Sequence, residues 1–183
     1  MIGLILLVVA VVAVLWAIAI YNGLVRRKNV VAEAWSGIEA QLKRRADLIP
    51  NLVETVKGYA VHERQTFDEL ARLRTAGQGQ ADVAARAQTE QAIGAALGRL
   101  MAVAEAYPEL KASANFQSLQ GDLSGIEDQI QLARRYYNGA VRDFNVMIEQ
   151  FPSNLIANAS GFKPAAFFQI DNEADRAAPK VSF

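Results

Sequence analysis

The chain of 183 residues lacks cysteine and net charge, and it is nearly without histidine. The absence of cysteine excludes a disulfide scaffold, a thiol nucleophile, a zinc ribbon and an iron–sulfur cluster. The single histidine, His62, leaves little room for a histidine metal site or a catalytic triad. Because 19 basic and 19 acidic residues cancel, the chain has no basic excess with which to capture nucleic acid. We expect a structural, binding or membrane-associated protein with no cofactor and no nucleic-acid partner.

Charged side chains are missing from the first 25 residues, and every residue of the first 21 except Gly3 is hydrophobic. A helix over that stretch would cover about 30 Å, the thickness of the hydrocarbon core of a bilayer. Trp16 and Tyr21 lie near its end, where aromatic rings favour the membrane interface. A cleaved signal peptide would instead need a basic residue before a shorter apolar run. The sequence therefore predicts a retained membrane anchor over residues 1–25.

Three basic residues, Arg26, Arg27 and Lys28, follow the apolar run directly, and no basic side chain precedes it. Flanks rich in Lys and Arg stay on the cytoplasmic side of a membrane. We therefore expect a single-pass protein with its N-terminus outside and its C-terminal domain in the cytoplasm. The three basic side chains would lie among anionic lipid head groups.

The rest of the chain contains apolar residues spaced seven apart, a pattern typical of long helices that pack like a coiled coil. Between residues 30 and 73 this spacing continues through Pro50. A proline inside a helix removes one hydrogen bond and kinks it, whereas a proline in the first turn of a new helix is tolerated. Because the spacing does not change, we favour one helix over residues 26–75, kinked at Pro50, over a helix–helix turn there.

Two further helices are predicted beyond a glycine-containing loop at residues 77–80. They cover residues 81–106 and 110–151, and prolines limit both of them at their C-terminal ends. The last helix has the most regular apolar row, which consists of Phe116, Leu123, Ile130, Tyr137, Phe144 and Phe151.

These elements predict an all-α fold in which the transmembrane helix continues into an antiparallel bundle of three or four long helices. The bundle would occupy residues 26–158 of the cytoplasmic domain. Residues 159–183 are irregular in composition and predict a C-terminal strap. Its aromatic residues Phe162, Phe167 and Phe168 would dock either on the bundle or on a neighbouring molecule.

Several short stretches of the chain resemble the LemA family, and the resemblance extends to the final Phe183. The stretches include Tyr21-Asn22-Gly23, Ala34-Trp35-Ser36, LKRRADLIPNLV at 42–53, Tyr107-Pro108-Glu109, Arg134-Arg135-Tyr136-Tyr137-Asn138 and Phe151-Pro152. The resemblance implies a bacterial single-span protein of the cytoplasmic (inner) membrane with a helical, coiled-coil-like domain, and it implies no known reaction. Members are associated with the cell envelope, and a magnetosome-associated relative is linked to membrane formation.

Candidate catalytic groups are few. His62 and Glu63 lack the second histidine that zincin spacing requires four residues after the first, since that position is Thr66. Pairs of carboxylates occur along the chain, but di-iron bundles need Glu-x-x-His motifs on two helices, and the chain has none. We therefore expect no enzyme and no metal site.

Polar residues near the apolar rows are better explained by packing. Arg45 lies within a row, so we expect a buried or half-buried acidic partner, for which Glu63 and Glu127 are available. For Arg134 we favour a structural ion pair over an anion or lipid site. Register setting at a helix seam and plain surface exposure are equally open for four asparagines, namely Asn22, Asn29, Asn138 and Asn145. We expect the remaining residues of the family-like stretches and apolar rows, Trp35, Pro50, Glu63, Tyr137 and Phe151, to have packing roles.

These predictions favour a non-enzymatic, membrane-anchored scaffold that self-associates at the cytoplasmic face of the bacterial membrane, in membrane organisation or envelope maintenance. Its partners would be the lipid bilayer and further copies of the chain, together with other membrane proteins. The alternative is an adaptor that regulates another membrane protein, such as a protease or a sensor.

Overall fold

A computed structural model describes residues 1–60 and 63–169, so His62 and residues 170–183 lie outside the described residues. Within these ranges the regular structure is entirely α-helical, which confirms the predicted fold class. The helices are α1 (Ile2–Lys57), α2 (Arg64–Gly77), α3 (Val83–Glu105), α4 (Pro108–Lys111), α5 (Ala114–Glu149) and α6 (Ser153–Ala159).

The chain divides into two compact units. Unit 1 consists of Met1–Ile38 and Ala133–Phe167, and unit 2 contains Glu39–Leu132 with residues 168 and 169. Helices α1 and α5 contribute residues to each unit. The predicted limits of the anchor at residue 25 and of the bundle at residue 158 stay predictions.

Helix α1 passes through Pro50 and ends at Lys57. The prediction of a single helix as far as residue 75 is therefore wrong, because the chain turns after Lys57 and returns as α2. The Nε of Arg74 donates a hydrogen bond of 2.8 Å to the carbonyl oxygen of Ala46, so α2 runs back along α1. The seven-residue row has a polar member at Glu63, and this residue lies in the connection between α1 and α2.

Unit 2 is an antiparallel bundle of the second part of α1, helices α2 and α3, and the first part of α5. Leu52, Leu70 and Leu100 are fully buried, each on a different helix. The core cluster adds further apolar side chains from α1, α2, α3 and α5, including Ile49, Val56, Phe67, Leu73, Ile93, Leu97, Phe116, Leu119 and Leu123. The members of the apolar rows that belong to unit 2 are therefore largely buried in this core.

Unit 1 packs the first part of α1 against the second part of α5 in an antiparallel pair. The rings of Trp35 and Tyr137 lie 5.4 Å apart, and Gly23 faces Met147 further toward the N-terminus of α1. A Cβ atom on Gly23 would lie 2.7 Å from the Cε of Met147, so the absence of a side chain lets the helices approach closely. The core of this unit contains Leu24, Phe144, Ile148 and Ala157.

The predicted packing role of Phe151 is wrong. The earlier members of its row, from Phe116 to Phe144, are buried, but Phe151 is 78% exposed. Helix α5 ends at Glu149, so the seven-residue spacing no longer places residue 151 on the inner face. A short helix that was not predicted, α6, follows it.

The N-terminal part of α1 is apolar and uncovered. Its most apolar stretch has a length and composition suited to crossing a membrane, and none of it is buried within the described chain. Trp16 and Tyr21 are both exposed near its end. The chain is thus a helical protein with one segment fitted to membrane association.

Candidate functional site: a buried charge cluster and two grooves beside the apolar segment

Four charged side chains in unit 2 form a cluster that we call the buried charge cluster, consisting of Arg45, Arg86, Glu90 and Glu127. Arg45 is 3% exposed and Glu90 is 2% exposed. One guanidinium nitrogen of Arg45 lies 2.6 Å from Oε1 of Glu127, and the other contacts Oε2 of Glu90. The second oxygen of Glu90 lies 2.8 Å from Arg86.

The arrangement leaves both carboxylate oxygens of Glu90 engaged by arginine. Two guanidinium groups and two carboxylates balance in charge, and their mutual attraction offsets part of the desolvation cost of burying them. Glu90 is 2% exposed and both of its oxygens contact arginine, so a substrate does not reach this carboxylate. The cluster therefore joins α1, α3 and α5 and has a structural role.

The structure brings Arg45 together with one of its two expected partners, Glu127, and not with Glu63. Glu63 is half-buried in the connection before α2. Glu90 is not among the predicted partners, although the sequence contains a signal for it. It lies seven residues after Val83 and seven before Leu97, which places it in the inner row of α3. Among the described residues no group of acidic, histidine or cysteine side chains is placed to hold a metal ion.

Unit 1 carries an open groove of about 580 Å³, here called the basic groove, directly after the apolar segment. Arg26 and Arg27 line it together with Asn22 from α1 and Asp143 from α5. Nη1 of Arg27 lies 3.9 Å from Oδ2 of Asp143, and both side chains are about half exposed. Two of the predicted interface residues, Arg26 and Arg27, therefore line a groove.

A second open groove in unit 1, here called the aromatic groove, has a volume of about 720 Å³. Rings from α1, α5 and the following segment line it, and Phe162 lies 5.9 Å from Tyr21 and 6.2 Å from Phe144, both in edge-on contacts. Lys28 and Lys163 add two positive charges to the lining. The groove combines an apolar wall with cationic side chains.

Residues 160–167 pack on helices α1 and α5 within unit 1. Asn145 receives a hydrogen bond of 2.8 Å from the backbone N–H of Ala165 and donates one of 3.0 Å to its carbonyl oxygen. The hydroxyl of Tyr137 donates a bond of 2.8 Å to the carbonyl oxygen of Ala166, and burial raises the pKa of this tyrosine above its usual range. The sequence predicts that the strap docks either on its own bundle or on a neighbouring molecule. Phe162 packs on its own chain.

The role of Asn145 differs from both alternatives considered for it, because its side-chain amide holds the strap. Asn22 is exposed at the basic groove, while Asn138 and Arg134 are half-buried and each has a polar or ring partner. Phe168 is fully buried and Phe167 remains partly exposed.

Comparison with known proteins matches residues 34–183 to the LemA family. The chain is 30% identical to magnetosome protein MamQ 2 of Paramagnetospirillum magneticum, over 90% of this chain and 71% of that relative. It is 29% identical to protein LemA of Metamycoplasma hominis, over 81% of this chain and 68% of that relative. It is also 26% identical to magnetosome protein MamQ of Magnetospirillum gryphiswaldense, over 81% of this chain and 64% of that relative. Since the match covers most of the chain, this protein belongs to the LemA family.

Proposed function

We propose that this protein is a non-enzymatic scaffold, anchored in the bacterial cytoplasmic membrane, that self-associates at the cytoplasmic face and organises the membrane there. The observation that carries the proposal is the continuity of α1, which runs from uncovered apolar residues to the buried core residues Leu24 and Ile38 without a break. A movement of the anchor is therefore transmitted to the folded part of unit 1 through helix and not through a flexible linker.

The chemistry of the described residues supports a structural role. The charges of the buried charge cluster neutralise one another, and the two grooves bring together arginine, lysine and aromatic side chains. Relatives of this chain are named as magnetosome proteins. By analogy we extend a role at a membrane structure to this protein.

Self-association needs a surface, and the apolar row of α5 supplies little of one, because its members from Phe116 to Phe144 are buried within the chain. The uncovered apolar segment of α1 remains. Ala10, Ala13 and Ala17 place small side chains on one side of it. Small residues allow transmembrane helices to approach closely, so we assign the contact between copies to this side.

The experiment that tests the scaffold counts copies of the full chain, mass 19.9 kDa, in lipid nanodiscs by native mass spectrometry. Discs are in large excess, so that copies without affinity distribute singly. We expect two or more copies per occupied disc, and we expect A13L/A17L to reduce that number. The matched control V8L/V12L adds volume on the opposite side of the helix and should leave the number unchanged. Single copies of the unaltered chain would contradict self-association.

The adaptor remains a second candidate because the aromatic groove is open and large enough for a segment of another protein. A photo-crosslinking residue at Asn29, which is exposed and lines this groove, separates the two functions in cells. A product with a different membrane protein supports the adaptor, whereas two or more copies per disc without such a product at Asn29 support the scaffold. The same residue placed at the exposed Asp128 of unit 2 is the control.

A further inference from the structure

We propose that the α5–α6 corner, residues 150–155, inserts into the lipid interface beside α1 and gives each copy a second membrane contact. The inference rests on the proposed anchor. It adds a membrane contact made by residues that lie outside the apolar N-terminal segment. Its basis is the position, exposure and charge of residues on the corner.

The position follows from the antiparallel pairing within unit 1. Gly23 of α1 faces Met147 of α5, so residues after Met147 continue toward the N-terminus of α1 at about 1.5 Å each. Helix α5 ends at Glu149 and Phe151 follows two residues later. The corner therefore lies about one helical turn beyond Gly23, at the level of the last apolar residues before Tyr21. Ile20 and Ile156 pack on the same core cluster, which agrees with this level.

Some side chains of the corner and of α6 are buried against unit 1, and others are exposed. Ser153 and Ala157 of α6 are buried against unit 1, whereas Phe151 and Leu155 are 78% and 58% exposed. Phe151 lies in the turn between α5 and α6, and Leu155 lies in the first turn of α6. A large aromatic and a leucine uncovered together, next to a segment fitted to lipid, match the pattern of a helix that lies in the membrane interface.

The charge pattern gives an independent argument. Residues 150–162 contain no charged side chain, and this is the longest uncharged run after residue 25. Charged residues, Glu149 and Lys163, limit it on both sides. The Ser153 hydroxyl is satisfied internally, since it contacts the carbonyl oxygens of Met147 at 2.7 Å and Gln150 at 3.0 Å. The Oδ1 of Asn154 is buried in the corner and has no hydrogen-bond partner in the described chain. Entry into the interface therefore exposes neither a charge nor this hydroxyl to lipid.

The absence of cysteine makes the test direct, because a single introduced cysteine can carry a nitroxide spin label. Four variants of the full chain, F151C, L155C, W16C and Y136C, are labelled one at a time and placed in vesicles that contain anionic lipid. Tyr136 is 59% exposed on α5 and is the aqueous control, while Trp16 is the control for the anchor. Collision rates with oxygen, which enters lipid, and with a water-soluble nickel chelate are measured by electron paramagnetic resonance.

We expect labels at 151 and 155 to behave as at 16, with oxygen collisions high and nickel collisions severalfold lower than at 136. If the labels at positions 151 and 155 show the same collision rates as the label at position 136, while the label at position 16 remains in lipid, the corner does not contact lipid. In that case the proposed anchor is still supported. If 16 is also open to the nickel chelate, the anchor fails, and this inference fails with it. Protection of 151 and 155 from both reagents would show coverage by protein, such as a second copy, and would overturn the lipid contact.

Discussion

At the scale of single residues, the buried charge cluster is the least expected feature of an otherwise apolar core. A buried ion pair adds little stability compared with well-packed apolar residues, but removing one partner leaves an uncompensated charge that is strongly destabilising. Arg45 depends on two carboxylates from different helices. The cluster therefore penalises arrangements in which α1, α3 and α5 are shifted along one another.

Replacing Glu90 with glutamine should lower the free energy of unfolding by about 3–5 kcal/mol, because two arginines would then face a neutral amide inside the bundle. The matched change is Asp47→Asn, which removes the exposed Lys43–Asp47 pair at 2.9 Å. That pair should contribute no more than about 1 kcal/mol. Denaturant unfolding of the full chain in detergent, followed by circular dichroism, measures both changes. Equal effects of the two substitutions would contradict the role given to the cluster.

Part of the cluster is readable from the sequence. A basic residue in an apolar row predicts a buried or half-buried acidic partner, and Arg45 has such a partner in the half-buried Glu127. Glu90 and Arg86 are harder to identify because α3 is rich in alanine, so that its inner row contrasts weakly with its outer face. Which acid meets Arg45 depends on the axial alignment of separate helices, and no local pattern contains that information.

At the scale of helices, seven-residue spacing indicates which side of a helix is buried and not which way the chain runs. The spacing continues from α1 into α2 although the chain reverses between them, since both helices face the same core. The reversal at residues 58–63 contains Gly58 but no proline. Pro50, the stronger breaker by composition, lies within α1.

Two members of one apolar row should respond differently to the same substitution. Leu123→Asp should lower the free energy of unfolding by roughly 3 kcal/mol or more, because an unpaired carboxylate would enter the core of unit 2. Phe151→Asp should leave the fold unchanged, since residue 151 is exposed beyond the end of α5. Thermal unfolding of both variants in detergent provides the comparison. A large loss of stability from the change at 151 would show that the row continues inward there.

At the scale of the whole molecule, the chain is strongly asymmetric in polarity. Its first residues are apolar and uncovered, and exposed basic residues follow them at once. Charge then alternates in sign along the helices, with no net excess. The basic flank after the apolar residues is the basis of the predicted orientation in the membrane.

The predicted orientation implies how introduced cysteines would react in intact cells. Thr75→Cys, at an exposed position near the end of α2, should be shielded from a membrane-impermeant thiol reagent until the cells are lysed. Gly3→Cys, in the N-terminal residues on the other side, should react without lysis. The native chain has no cysteine, so it provides the blank. The reverse pattern would place the helical units outside the cytoplasmic membrane.

The amino-acid order was enough to establish the all-α class, the apolar segment and most of the buried positions, because hydrophobic periodicity reports local partition between water and an apolar environment. Tertiary packing alone decided the reversal after Lys57, the partnership of Arg45 with Glu90, and the attachment of the strap through Asn145. It also left Phe151 uncovered. These features depend on where separate helices meet, and the free energy that selects such meetings comes from contacts between residues far apart in the chain.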